Sequence, residues 1–124
     1  MAGKRVLSIG QCGPDHYSIS WTLRAHFAAE VVPARDGAEA LEQLKKGSFD
    51  LVLVNRILDA DHASGLQLLR QIKATPGQEQ TPIMLVSNLP DAQQQATSLG
   101  ALPGFGKDLL ADDSLIDLLR PQLG

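Results

Sequence analysis

The polar residues that could take part in catalysis or ligand binding follow apolar segments of this chain. Asn55 is the most informative of them. It ends the apolar run 51–54, which predicts a buried strand whose carboxyl end presents the Asn55 side chain. In open α/β sheets, ligands bind and reactions occur at that edge. An aspartate there could be a nucleophile or a metal ligand, whereas a carboxamide is neutral and a poor nucleophile. The residue type therefore argues against covalent and metal chemistry at this position.

Three other groups of residues suggest chemistry less strongly. Asp59, Asp61 and His62 are spaced so that they could hold a divalent cation, but three ligands on one loop rarely complete a site, and a solvated loop is the preferred interpretation. The turn 10–13 resembles a phosphate-binding turn without the full dinucleotide fingerprint. Cys12 lies near a helix start, where a thiolate is favoured, yet no convincing base accompanies it.

Composition narrows the function classes. The chain has 124 residues, 44% of them hydrophobic and 20% charged, which predicts one globular domain over residues 1–124. A net charge of −3 gives no electrostatic reason to expect nucleic acid or an anionic membrane as partner. No apolar stretch approaches the length of a bilayer span. The single cysteine cannot form an intramolecular disulfide, so we expect a cytoplasmic protein.

The elements that must position these residues alternate regularly. Strands are predicted at 5–9, 30–33, 49–54, 82–86 and 101–105. Helices are predicted at 15–28, at 36–46 after the N-cap Asp36, from 64 or 65 to about 75, at 90–100, and around 115–119. Ala38, Leu41 and Leu44 are expected to face inward. The alternation implies right-handed crossovers and a parallel sheet covered on both faces, hence a three-layer α/β domain.

Five segments in this order resemble the receiver domains of two-component response regulators, and the similarity covers nearly the whole chain. The segments are 4–7, 36–41, 49–54, 64–70 and 81–87. The resemblance implies a doubly wound, five-stranded parallel sheet of the flavodoxin-like type with strand order 2-1-3-4-5. It also implies a module of phosphorelay signal transduction.

The resemblance assigns a role to each strand-end residue. In a working receiver an aspartate accepts a phosphoryl group, that aspartate and an acidic pair hold Mg²⁺, and a hydroxyl and a lysine bind the phosphoryl oxygens. Here the acceptor falls on Asn55, the acidic pair on Gly10 and Gln11, the hydroxyl on Ser87 and the lysine on Lys107. The phosphate-contacting half is retained and the half that performs chemistry is replaced. We therefore expect no catalytic residue, no metal and no cofactor.

Ser87 and Lys107 have two open interpretations. They could still bind an anion, or they could hydrogen-bond Asn55 and cap strand ends, and the structural role is preferred because a buried amide needs partners. Further departures from the family pattern concern the loop 56–64, which is longer than usual, and Gly104, which replaces the switch aromatic. Phe105 is expected to face the core.

Receivers usually dock partners through the face of their fourth and fifth helices. The resemblance places Gln94, Gly104 and Asp108 on that face, with the run 93–95 on the solvated side of the fourth helix. The expected partner is a signalling protein, either a histidine kinase or an output protein. Trp21 is expected to pack rather than to bind.

The preferred hypothesis is a pseudo-receiver, a phosphorylation-independent interaction module that is not an enzyme. One alternative is a receiver that keeps weak phosphorylation through Asp59 or through Asn55 deamidated to aspartate. Another is a flavodoxin-like binder of a small molecule or nucleotide that uses the turn 10–13.

Overall fold

Five short strands alternate with five helices, as the hydrophobic pattern predicts. The computed structural model of the protein describes residues 3–124. The elements are β1 Arg5–Ile9, α1 Gly13–Phe27, β2 Glu30–Ala34, α2 Gly37–Lys46, β3 Leu51–Asn55, α3 Gly65–Lys73, β4 Ile83–Val86, α4 Pro90–Ser98, β5 Leu102–Phe105 and α5 Asp113–Leu123, with a 3₁₀ turn at Lys107–Leu109 before α5. None of the helices within 3–124 is both long and apolar enough to cross a bilayer.

The strands form one parallel sheet in the order β2-β1-β3-β4-β5, so the predicted doubly wound, flavodoxin-like topology is confirmed. Side chains of β3 alternate between two cores because successive residues of a strand point to opposite faces. Val52 and Val54 enter the core beneath α2, α3 and α4, while Leu51 and Leu53 enter the core beneath α1 and α5. The sheet is therefore covered by helices on both faces.

Helix α2 begins as predicted but presents a different face. The Asp36 side chain accepts a hydrogen bond from the Glu39 backbone N–H at 2.9 Å, which confirms it as the N-cap. Ala40 and Leu44, four residues apart, are buried, and Leu41 is half-buried. Ala38 is exposed, so its predicted inward orientation is wrong.

The edge strand β5 pairs irregularly with β4. Met84 lies opposite Leu102 and Val86 opposite Phe105, so three steps along β5 match two along β4. One extra residue in β5 produces this β-bulge and leaves the ladder interrupted between the two pairs. Phe105 is 3% exposed, which confirms that it faces the core.

The side chain of Gln93 forms hydrogen bonds with backbone groups where the ladder is interrupted. Its Nε2 donates to the carbonyl oxygens of Leu85 at 2.8 Å and Ser87 at 3.0 Å. Its Oε1 accepts from the backbone N–H of Gly104 at 3.0 Å. The amide joins α4 to both strands as a peptide group would, and it is half-buried. The expectation that Gln93 is solvated is wrong, because the bulge supplies three backbone groups that need partners.

Gln93→Glu should lower the free energy of unfolding by about 1–3 kcal/mol, since a carboxylate cannot donate to the two carbonyl oxygens. Urea unfolding at neutral pH measures the loss. The control is Gln95→Glu, which makes the same change at an exposed position of α4 and should be nearly neutral. Equal effects of the two substitutions would contradict a bridging role for Gln93.

Candidate functional site

The residues predicted to form a site follow the carboxyl ends of neighbouring parallel strands. Asn55 ends β3, Ser87 follows β4, and Lys107 opens the 3₁₀ turn after β5. The structure brings these three side chains together around a cavity of about 410 Å³, whose other lining residues are Arg56, Ile57, Val86, Asn88 and Leu89. Gly10 follows β1 on the other side of Asn55. No carboxylate lines the cavity itself.

The Asn55 amide is a hydrogen-bond donor inside the protein. Its Nδ2 donates to the carbonyl oxygen of Gly10 at 3.0 Å, and the residue is half-buried. Neither Ser87 nor Lys107 bonds to Asn55 within residues 3–124, so that expected contact is absent there. The Ser87 hydroxyl instead accepts from the Leu89 backbone N–H at 3.1 Å, at the start of α4. Aspartate could not replace this donor, because an ionised carboxylate only accepts.

Gly10 is enclosed by the loop between β3 and α3. Its φ of +73° favours glycine, and a Cβ placed there would overlap the Leu58 side chain and stand 3.0 Å from the Leu58 Cα. Leu58 is 1% exposed. The backbone N–H of Asp59 donates to the Gly10 carbonyl oxygen at 3.0 Å, the same atom that Asn55 contacts. Leu58 therefore fills the space that a side chain at position 10 would need.

A closed turn within this loop holds Leu58 in place. Ile57 and Ser64 form an isolated antiparallel bridge, and within it the backbone N–H of Leu58 donates to the Ala63 carbonyl oxygen at 2.9 Å. Between them the chain turns through His62, whose φ is +58°. The Asp61 carboxylate accepts from the Ala63 backbone N–H at 3.0 Å. The loop is thus a closed turn that directs one apolar side chain inward.

Lys107 is paired with a carboxylate that the sequence analysis did not select. Its Nζ lies 2.6 Å from Oδ2 of Asp15, in the first turn of α1. The hydrogen bond from Lys107 lowers the pKa of Asp15, and a side-chain hydrogen bond with Cys12 acts in the same direction against partial burial. In the sequence, Asp15 resembles an ordinary acidic residue in the first turn of a helix. Only its position shortly after a strand, at the carboxyl edge of the sheet, could have identified it as a site residue.

Gln11, which the resemblance assigns to the acidic pair, offers little to a ligand. Its Nε2 turns back to the Ile9 carbonyl oxygen at 3.5 Å, and its Oε1 is buried without a partner in the described part of the chain. Across residues 3–124 no three His, Cys, Asp or Glu side chains cluster as metal ligands would, the Asp59 to His62 turn included. The site can therefore donate and accept hydrogen bonds, but it concentrates no negative charge.

Comparisons with known proteins agree with the fold. The family model of the response regulator receiver domain matches residues 17–119. No curated protein matches the chain. Among solved structures, the chemotaxis response regulator CheY4 of Vibrio cholerae shares 22% identity with a TM-score of 0.75, covering 95% of this chain and 100% of its own. NtrX from Brucella abortus shares 22% identity with a TM-score of 0.83, over 98% of this chain and 27% of that one.

A third similar structure is the signal receiver domain of a signal transduction histidine kinase from Syntrophus aciditrophicus. It shares 21% identity with a TM-score of 0.73, covering 97% of this chain and 92% of its own. At such identities the structural likeness shows the fold alone.

The Asp15 contact predicts a pH-dependent stability. Because the folded-state pKa of Asp15 lies below its usual 3.8, the ionised carboxyl stabilises the fold above that pH, and the contribution is lost as pH falls through the folded pKa. Asp15→Asn should cost about 0.5–1 kcal/mol of unfolding free energy at pH 7, the range of a partly exposed ion pair. The difference in unfolding free energy between this variant and the wild type should become smaller below pH 3.8. Urea unfolding at a series of pH values measures it.

Asp91→Asn is the matched control, because Asp91 is also a first-turn acid of a helix but is exposed. The favourable helix-terminus contribution is common to both residues. If the two variants lose equal stability with the same pH profile, the Lys107 contact is not the source of the effect.

Proposed function

This chain belongs to the response regulator receiver domain family, and we propose that it acts as a pseudo-receiver. In this role residues 1–124 form one receiver domain that binds a signalling protein without being phosphorylated on aspartate. It is not an enzyme, and it works by presenting a fixed surface. The partner class is a histidine kinase or an output protein of phosphorelay signalling.

The observation that carries the proposal is the Asn55 amide donating to the Gly10 carbonyl oxygen at 3.0 Å. Phosphoryl transfer to a receiver needs an ionised nucleophile at the position of Asn55, and a carboxamide does not supply one. The amide also has a structural use that a carboxylate would reverse, because two oxygens would then face each other without a proton between them. This supports a residue retained for the fold rather than for chemistry.

The family implies Mg²⁺ beside the acceptor, and the residues present do not fit it. Mg²⁺ requires near-octahedral oxygen ligands, usually including one or two carboxylates. Gly10 has no side chain, and Gln11 and Asn55 have only neutral oxygens. Leu58 occupies the space where a carboxylate at position 10 would project. The donor set therefore argues against a metal and against the chemistry that depends on it.

The environment of Lys107 also argues against phosphorylation at this site. A lysine at this position contacts the phosphoryl group in a working receiver, whereas here Asp15 already neutralises it at 2.6 Å. An anion in the cavity would have to compete with this carboxylate. The pair also ties the 3₁₀ turn to α1 without any modification of the protein.

The candidate docking face lies on α4, β5 and the turn before α5. Gln94 and Asp108 are exposed on it. Gly104 is half-buried, and a Cβ there would overlap the Leu85 carbonyl oxygen, so this position shapes the backbone rather than contacting a partner. The three hydrogen bonds of Gln93 hold α4 against β5, which is consistent with a surface of one conformation.

Incubation with acetyl phosphate and Mg²⁺, followed by intact mass and an acid-labile phosphate assay, tests the proposal. We expect no phosphoryl adduct on the wild type, and none on Asn55→Asp, because the metal ligands are still missing. A competent receiver treated in parallel controls for the reagent. A stoichiometric Mg²⁺-dependent adduct on the wild type would overturn the pseudo-receiver, and its loss in Asp59→Asn would locate the acceptor at Asp59.

A further inference from the structure

The chain's one tyrosine and one tryptophan are both exposed on the same helix. Tyr17 is 71% exposed and Trp21 is 62% exposed, so the expectation that Trp21 packs is wrong. Four residues apart on α1, they share its outer face. Tyrosine and tryptophan carry a large share of the binding energy of protein interfaces. Their joint exposure marks an interaction surface that is centred on α1 rather than on α4.

These two rings border a shallow cavity between α1 and the turn before α5. It measures about 420 Å³ and is lined by Tyr17, Ser18, Trp21, Thr22, Leu110 and Ala111. We call Tyr17, Trp21, Leu110 and Ala111 the α1 patch. The Lys107 to Asp15 contact holds the turn against α1, so the two sides of the patch keep a defined spacing.

The α1 patch is flanked by charges of both signs. Arg24 follows Tyr17 by seven residues, two helical turns along the same face, and is exposed. On the side of the turn, Asp108, Asp112 and Asp113 are exposed. None of Arg24, Asp108 and Asp113 forms an ion pair with another residue of the span 3–124. Arg24 lies in the last turn of α1, whereas the acidic turn is joined through Lys107 to Asp15 in the first turn, so the basic and acidic groups lie towards opposite ends of the helix.

We propose that the α1 patch binds a second copy of this chain, with the two α1 helices antiparallel across a two-fold axis. A uniformly basic partner would be repelled by Arg24, and a uniformly acidic partner would be repelled by the aspartates. A second copy related by a two-fold axis places each Arg24 towards the other copy's acidic turn and the aromatic rings at the centre. Such an isologous interface requires a self-complementary patch, which this distribution of charge supplies.

Trp21 reports directly on this association because it is the only tryptophan. Its emission should shift to shorter wavelength as the protein concentration rises from about 1 µM to about 1 mM, the range of weak to moderate affinities. Sedimentation over the same range should show the mass doubling. Constant emission together with a monomer mass throughout would overturn the proposal.

Charge exchange tests the arrangement of the two copies. Arg24→Glu alone and Asp113→Lys alone should each weaken self-association by about tenfold, and the double variant should regain most of the loss. Asp112 is left unchanged because its side chain caps α5 by accepting from the Ser114 backbone N–H. Failure of the double variant to recover would refute the antiparallel pairing.

Tyr17→Ala and Leu89→Ala form a matched pair of surface truncations. Leu89 is 50% exposed but lies at the start of α4, outside the α1 patch. Only Tyr17→Ala should reduce the dimer fraction, while circular dichroism of both variants should show the wild-type fold. Equal loss of dimer in the two variants would indicate nonspecific apolar association and would contradict the proposal.

Discussion

The carbonyl oxygen of Gly10 is the atom around which the candidate site is organised. It accepts from the side chain of Asn55 and from the backbone N–H of Asp59, each at 3.0 Å. These two bonds connect the end of β1, the end of β3 and the loop that follows it. Leu58 packs against Gly10 as a result, and the absence of a Cβ makes that packing possible. A carboxylate at either strand end would disturb this arrangement, by steric overlap at position 10 and by repulsion at position 55.

Two further contacts also provide a polar group with a side-chain partner inside the protein. Gln93 supplies a side-chain amide where the bulge interrupts the β4–β5 ladder, and Asp15 supplies a carboxylate to Lys107. In both cases an internal side chain supplies the partner that a polar group would otherwise lack. Buried polar groups are stabilised when all their partners are present, so such contacts favour one conformation. These contacts support the proposed role of presenting a surface of one conformation.

The elements were predictable in position because hydrophobic periodicity and N-cap residues are local signals. Strand β1 has the predicted bounds, and Asp36 caps α2 as expected. The misjudged residues are those whose environment comes from distant segments. Gln93 is bonded through a bulge in β5, and Asp15 is bonded to Lys107 near the other end of the chain. No local pattern distinguishes these residues from ordinary helix-surface positions.

The sequence alone determined the parallel α/β sheet, the order of its elements and the absence of carboxyl side chains at positions 10, 11 and 55. Residue type and short-range spacing are enough for those conclusions, since they depend on hydrogen-bonding capacity and on burial period. The tertiary structure alone decided what fills the space and satisfies the charges at the strand ends. Leu58 reaches Gly10 and Asp15 reaches Lys107 only because the crossovers bring separate loops to one edge of the sheet.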